Sequence, residues 1–213
     1  MVVMSLITDI DHKRIAEAIR LAESRTSGEI YAVVARRSDS YFFVAGFAVA
    51  CGILLAAVMV ALAAHWYWFV ISLPTFGLAI LAAFLTAVLV LWFVPGITML
   101  LVPRRIRYRR AHQNAVQQFL ARNVHLTSER TGILLFVSLA EQYAEVIADA
   151  GINAKVHQDE WNGIVSLLTD HANKGELASG FLLAIEKAGL LLEEHFPVGP
   201  GDVNELDDHL VEL

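Results

Sequence analysis

Residues 41–103 read YFFVAGFAVACGILLAAVMVALAAHWYWFVISLPTFGLAILAAFLTAVLVLWFVPGITMLLVP, without one Asp, Glu, Lys or Arg. The rest of the 213-residue chain is ordinarily charged. A bilayer core about 30 Å thick is crossed by about 20 apolar residues in helical form, so this run is long enough for two crossings. The roughly 150 residues outside it are enough for one compact domain. The expected organisation is a domain begun in residues 1–40, interrupted by a transmembrane hairpin at 41–103 and completed in 104–213.

Within the run, the first span is expected from Phe42 to Ala64. His65-Trp66-Tyr67-Trp68 follows, an amphipathic aromatic group of the kind that sits at headgroup level. Pro74 suits the first turn of a second span reaching Val94, and Pro95-Gly96 should kink or end it. The connection is short, so the spans must be antiparallel neighbours. Small residues recur every four positions, Ala48, Gly52, Ala56 and Ala79, Ala83, Ala87. Such rows permit close helix approach, although alanine is also simply common in spans.

Outside the run, charge is unevenly placed. Residues 104–130 hold seven Arg and one Glu, whereas 131–213 hold fifteen acids and three Lys. The Arg cluster abuts the apolar run, so it reads as headgroup contact and topology control rather than a nucleic-acid surface. Arg36, Arg37, Arg104, Arg105, Arg107, Arg109 and Arg110 flank the outer ends of the hairpin, and the inner loop has no Lys or Arg. The positive-inside rule then puts both flanking segments in the cytoplasm and Trp66 and Trp68 outside. The lone Cys51 permits no intrachain disulfide. Val2, Val3, Leu6 and Ile7 are too few for a signal-peptide core, so the first span is expected to direct insertion.

The flanks read as α/β. Residues 9–25 carry Ile15, Ala18, Ile19 and Ala22 on one helical face, capped by Thr8 or Asp9. Glu29–Ala35 (EIYAVVA) and Gly132–Ser138 (GILLFVS) are short β-rich runs suited to buried strands, with Tyr143–Ala148 a third. Arg104–Asn123, Gln158–Lys174 and Leu177–His195 read as helices, Trp161 facing the core of the second. Pro197 and Pro200 force an extended segment, and 204–213 reads as a short last helix. The expected fold is a small mixed sheet covered by helices, with Glu29–Ala35 beside Gly132–Ser138 because buried strand backbones need ladders.

These residues carry a resemblance. TSGEIYAVV (26–34), RTGILLFVSLAEQYAEVIADAGI (130–152), the Trp161 helix, GELASGFLLAIEKAGLLLEEHFP (175–197) and NELDD (204–208) resemble the TPM domain family, named partly for a thylakoid-lumen phosphatase, in its bacterial membrane branch. The resemblance covers nearly all the chain outside the hairpin and implies an α/β sandwich. Some members are described as acid phosphatases, some bind calcium, and others assist assembly or repair of membrane complexes. It also implies a LemA-type membrane protein as a partner. Two departures stand out: Thr131 occupies a position where many members hold an acid, and many members face the lumen or periplasm.

Chemistry-bearing motifs are few. There is no P-loop, GxSxG or HExxH, and the eight His lack ligand spacing. His157 to Glu160 reads as a helix start whose acids answer the macrodipole, with a base or metal ligand as the alternative. His65 reads as a wet anchor rather than a haem ligand. Asp202, Glu205, Asp207 and Asp208 read as a solvated acidic tail without EF-hand spacing. Asp149, at a strand end, with Glu29 or Glu129, is the best candidate for a calcium or magnesium site; turn chemistry also explains Asp149. No catalytic residue is assigned. The expected function is a non-catalytic, membrane-anchored module that assists assembly, stability or repair of a membrane complex, bound to a membrane protein or to itself. The alternative, a metal-assisted acid phosphatase, rests on the resemblance alone. Two spans without an intramembrane charge do not make a transport path.

Overall fold

A computed structural model describes residues 6–127, 129–199 and 204–213. The chain divides into a sheet unit, Met1–Ser38 with Arg107–Leu213, and a helical unit, Asp39–Ile106.

The sheet unit begins with α1 (Asp9–Glu23), capped by Thr8, whose hydroxyl accepts the Asp11 N–H. Strand β1 (Glu29–Ala35) follows. Strand β2 (Gly132–Ser138) lies beside it in parallel, Glu29 opposite Gly132 through Ala35 opposite Ser138. Every residue of both strands is buried, the mark of central parallel strands covered on both faces. Strand β3 (Tyr143–Ala148) returns antiparallel to β2. Helices α5 (Arg104–Ala121), α6 (Ala150–Asn153), α7 (Gln158–Lys174) and α8 (Leu177–His195) complete the cover. Alternation sorts the core into two layers. Ile30, Ala32, Val34, Ile133, Leu135 and Val137 meet Ile15 and Ile19 of α1, Trp161 of α7 and Phe181 of α8. Tyr31, Val33, Ala35, Leu134 and Phe136 meet Ala115 and Phe119 of α5 on the other face. The fold is the expected helix-covered mixed sheet, and the expected β1–β2 pairing forms across the intervening hairpin.

One element differs. Residues 204–213 form no helix; Leu210–Glu212 is a strand, β4, parallel to β1, giving the order β3-β2-β1-β4 among the described residues. Without it β1 would present an open edge along the apolar run that follows Glu29. The Glu29 carboxylate takes the N–H groups of Glu205 and Leu206 at 3.0 and 3.3 Å, which draws the segment alongside instead of letting it coil. Glu212 is held in turn by the N–H groups of Leu6 and Ile7 and by His12. Pro200 and Asp202 lie outside the described residues.

In the helical unit, α2 (Phe42–Trp66) and α3 (Leu73–Phe93) are each long and apolar enough to cross a membrane, and their most apolar stretches are almost wholly exposed. They run antiparallel: Phe42 meets Trp92 edge-on at 6.3 Å, and Ala61 and Ala64 share a cleft with Phe76. Ser72 caps α3. Pro95 starts a separate short helix, α4 (Pro95–Leu101), so the second apolar helix stops at Phe93. The small-residue rows lie mostly away from the less exposed faces of the two helices. Ala48, Gly52, Ala56, Ala79 and Ala83 are exposed, Ala87 alone of the two rows is half-buried, and the less exposed row is Ala45, Val49, Ile53, Ala57 on α2 with Ile80, Val88, Leu91 on α3.

Candidate functional site

The parallel pair β1–β2 has two ends, and polar side chains gather at both. At the amino end, Thr131 ties the turn before β2 to the start of β1. Its hydroxyl donates to the Ser27 carbonyl at 2.8 Å, its N–H donates to the Thr127 hydroxyl at 3.0 Å, and its carbonyl accepts the Glu29 N–H. The hydroxyl thus serves as a bridge. Register brings Glu29, Gly132 and Asp149 to this same sheet end, the Asp149 N–H donating to the Gly132 carbonyl at 2.9 Å.

The three candidate ligands are engaged separately. Glu29 is buried, its carboxylate on the Glu205 and Leu206 N–H groups. Glu129 accepts the Ser27 hydroxyl at 3.5 Å. Asp149 caps α6, with Oδ1 on the Ala150 N–H at 2.6 Å. Its Oδ2 is buried without a hydrogen-bond partner. Beside it, the carbonyl oxygens of Arg130 and Glu129 sit 2.6 and 2.9 Å from where a Cβ on Gly151 would stand, so only glycine fits. Among the described residues, no three His, Cys, Asp or Glu side chains converge as a metal group. One spare carboxylate oxygen is far from the six to eight oxygens calcium takes.

A denser cluster lies around Glu23, which sequence reasoning passed over. Glu23 is buried, with Oε1 on the Ile30 N–H at 2.8 Å and Oε2 on the Asn204 amide at 3.1 Å. Asn204 also donates to Asp208 at 2.6 Å, and Arg20 donates to Asp208 at 3.0 Å. Burial pushes the Glu23 carboxyl up to about 9, against the Ile30 N–H and with help from the Glu29 and Asp208 charges. At neutral pH it is a neutral acid hydrogen-bonded to Asp208. The burial of Asp208 works to raise its pKa, but hydrogen bonds from Asn204, Glu23 and Arg20 outweigh that and hold it low. A cavity of about 310 Å³ opens onto Arg20, Glu23, Glu29 and Asn204.

At the carboxyl end of the parallel pair, Ser38 and Ser138 hydroxyls meet at 2.7 Å, Ser138 donates to the buried Glu141, and Glu141 also accepts the Ser38 N–H at 3.0 Å. This network closes the sheet unit at Ser38, where the chain leaves for the hairpin. Arg36 is exposed after β1 and its N–H donates to the Leu213 carbonyl; Arg37 and Arg107 are half-buried. Arg104 and Arg105 open α5 and are exposed. Trp66 and Trp68 are 80% and 92% exposed at the loop between α2 and α3, Trp68 in the left-handed region at φ 56°.

Neither family models nor curated proteins match this chain. Among solved structures, it is similar to the NMR structure of BA42 protein from the psychrophilic bacterium Bizionia argentinensis. The likeness has a TM-score of 0.61 at 19% identity, over 99% of this chain and 98% of that one. The fold is therefore a known one. At that identity the likeness speaks to fold alone.

Proposed function

We propose that this chain is a TPM-like module anchored in the bacterial inner membrane, which assists assembly, stability or repair of a membrane protein complex without catalysis. The observation that carries the reading is the β1–β2 ladder, seven residues in register from segments on either side of the apolar hairpin. A domain whose two central strands flank its own anchor stays with that anchor wherever the anchor is held. The engagement of Glu29, Glu129 and Glu141 in bonds within the fold supports a structural rather than hydrolytic use of these acids. The partner in this reading is a membrane protein, a LemA-type protein or a second copy. Affinity purification from native membranes should recover a stoichiometric membrane protein; recovery of the chain alone would sink the reading.

The Arg distribution supports a cytoplasmic sheet unit, with Arg36, Arg37, Arg104, Arg105 and Arg107 near anionic headgroups and Trp66 and Trp68 at the opposite interface. Single cysteines at 36, 104 and 66 in a Cys51-free chain test this. Position 66 should label only from outside and the other two only from the cytoplasm; the reverse pattern inverts the topology.

The orphaned Asp149 Oδ2 is the one observation favouring a cation and, through it, phosphatase chemistry. Hydrolysis needs converging ligands, an open coordination position and a proton-handling group, and Asp149 has no such company. The expected result is no turnover of a chromogenic phosphate ester above background from pH 5 to 8, with or without calcium or magnesium. Turnover that disappears in Asp149→Ala would replace the scaffold reading with the phosphatase one.

A further inference from the structure

The sheet ends at β3 on the side away from β4. Which backbone groups of β3 are used follows from one bond, the Asp149 N–H to the Gly132 carbonyl. In an antiparallel ladder, bonded pairs alternate with non-bonded ones. Continuing that alternation along the register, Tyr143, Glu145 and Ile147 turn their N–H and C=O groups to β2, and Ala144, Val146 and Ala148 turn theirs outward. The Ala148 carbonyl is taken by the Asn153 amide at 2.7 Å. The N–H and C=O groups of Ala144 and Val146 have no partner among the described residues. Two donors and two acceptors at strand spacing are matched by an extended backbone and by little else.

The edge also has a side-chain pocket. A cleft of about 250 Å³ lies between the start of β3 and α7, lined by Val137, Leu139, Ala144 and Ala172, with Gln142 and Asn173 on its rim. Ala144 thus belongs to both the cleft and the open edge. Gln142 is set in the left-handed region at φ 52°, in a turn that the buried Glu141 holds through Ser138 and Ser38. On the opposite face, Glu145 lies against His112 of α5 at 2.9 Å and accepts the Tyr143 hydroxyl at 3.0 Å. Burial, reinforced by the Glu145 charge, raises the Tyr143 hydroxyl above its ordinary range, so it stays a donor.

We propose that the outer edge of β3 receives an extended segment of a partner protein as an added strand. That segment carries apolar side chains on the α7 side and a basic one opposite Glu145. Side chains of a strand alternate faces, so apolar–basic–apolar is the pattern that fits. A second copy of β3 fits worse. The two-fold register that satisfies all four open groups pairs Ala144 with the partner copy's Val146 and sets Glu145 against Glu145, a destabilising like-charge pair. The proposal rests on the reading of this chain as a partner-holding module, and it specifies what is held.

The test uses the full chain in detergent and a fluorescein-labelled peptide of alternating valine and lysine, read by anisotropy. Saturable binding is expected, about tenfold weaker for the same peptide with glutamate in place of lysine. Val146→Pro deletes an outward N–H without touching the β2 ladder, as edge strands tolerate. Val146 also packs in the core, so this variant should melt lower; at a temperature where it remains folded it should weaken binding about tenfold. Should that variant fail to fold, Glu145→Lys should reverse the preference toward the glutamate peptide. Absence of saturable binding, equal binding by a folded Val146→Pro, or a dimer of the chain that Val146→Pro dissolves would each overturn the proposal. Native-membrane purification separates the two readings: a partner retained by Val146→Pro keeps the module and removes the edge. Peptide binding without any native partner keeps the edge and removes the module.

Discussion

Gly132→Ala is expected to cost the sheet unit about 3 kcal/mol or more, the upper part of the range for overpacking. Gly132 opens β2 directly beneath the 3₁₀ turn Val124–Leu126. A Cβ there would fall inside contact distance of the Val124 carbonyl oxygen and 2.8 Å from its Cγ1. The first obstacle is backbone and cannot swing aside. The turn is fixed on both sides, by the Leu126 N–H to the Asn123 carbonyl and by Thr127 holding the Thr131 N–H. Relief therefore means moving β2 in a ladder where Gly132 pairs with Glu29 and its carbonyl accepts from Asp149. Urea unfolding in detergent should show a clearly lower midpoint. Gly163→Ala is the control, since its added Cβ meets nothing within 4 Å. Equal midpoints for the two variants would mean that the turn yields freely.

Much of this fold is readable in the residues because its elements are locally determined. EIYAVVA and GILLFVS are strands at the bounds their composition suggests, since a parallel strand buried on both faces is apolar nearly throughout, with Glu29 and Ser138 at the ends. The charge-free run gives two long apolar helices for the same kind of reason. What stayed hidden is non-local. Leu210–Glu212 is too short to show a period, and its conformation comes from the free edge of β1 and from the Glu29 carboxylate far back in the chain. The helix seam stayed open in the sequence because the spacing of small residues says where helices are able to approach, not where they do. Asp149 stands at the strand end where it was expected and caps the turn that follows, but nothing local marks one of its oxygens as orphaned. The open edge of β3 is likewise a property of strand order, which a sequence of three β-rich runs leaves undetermined.

The Glu23 cluster was invisible for the same reason and makes the other large prediction. Glu23 and Asn204 are joined by a hydrogen bond across 181 positions of sequence. Nothing near Glu23 in sequence distinguishes it from the other acids on α1. Its carboxyl has an ordinary value of 4.5 and is pushed to about 9 in the fold, first by burial. Between those values the folded chain keeps a proton that the unfolded chain releases. Stability is therefore highest near the lower value and falls as pH rises through the window, by at most about 1.4 kcal/mol per unit, levelling off above the upper value. Asp208 is shifted down from 3.8, so its own contribution is complete before the window begins and leaves the slope alone. Between pH 5.5 and 8.5 the wild-type chain should lose on the order of a few kcal/mol. Glu23→Gln keeps an acceptor for the Ile30 N–H and a donor for Asp208, gives up the bond from the Asn204 amide, and has no proton to lose. It should abolish most of the slope and be the more stable protein at pH 8.5. The loss in the wild type should start at the tail. Ionised, Glu23 faces Asp208 and Glu29, with Arg20 on Asp208 as an offset, and Asn204 joins the tail to it. Hydrogen exchange at Leu210–Glu212 should therefore speed up with pH beyond its intrinsic dependence in the wild type and not in Glu23→Gln. A wild-type unfolding free energy that is flat over this range would show that Glu23 is ionised in the fold and that its burial is relieved by other means.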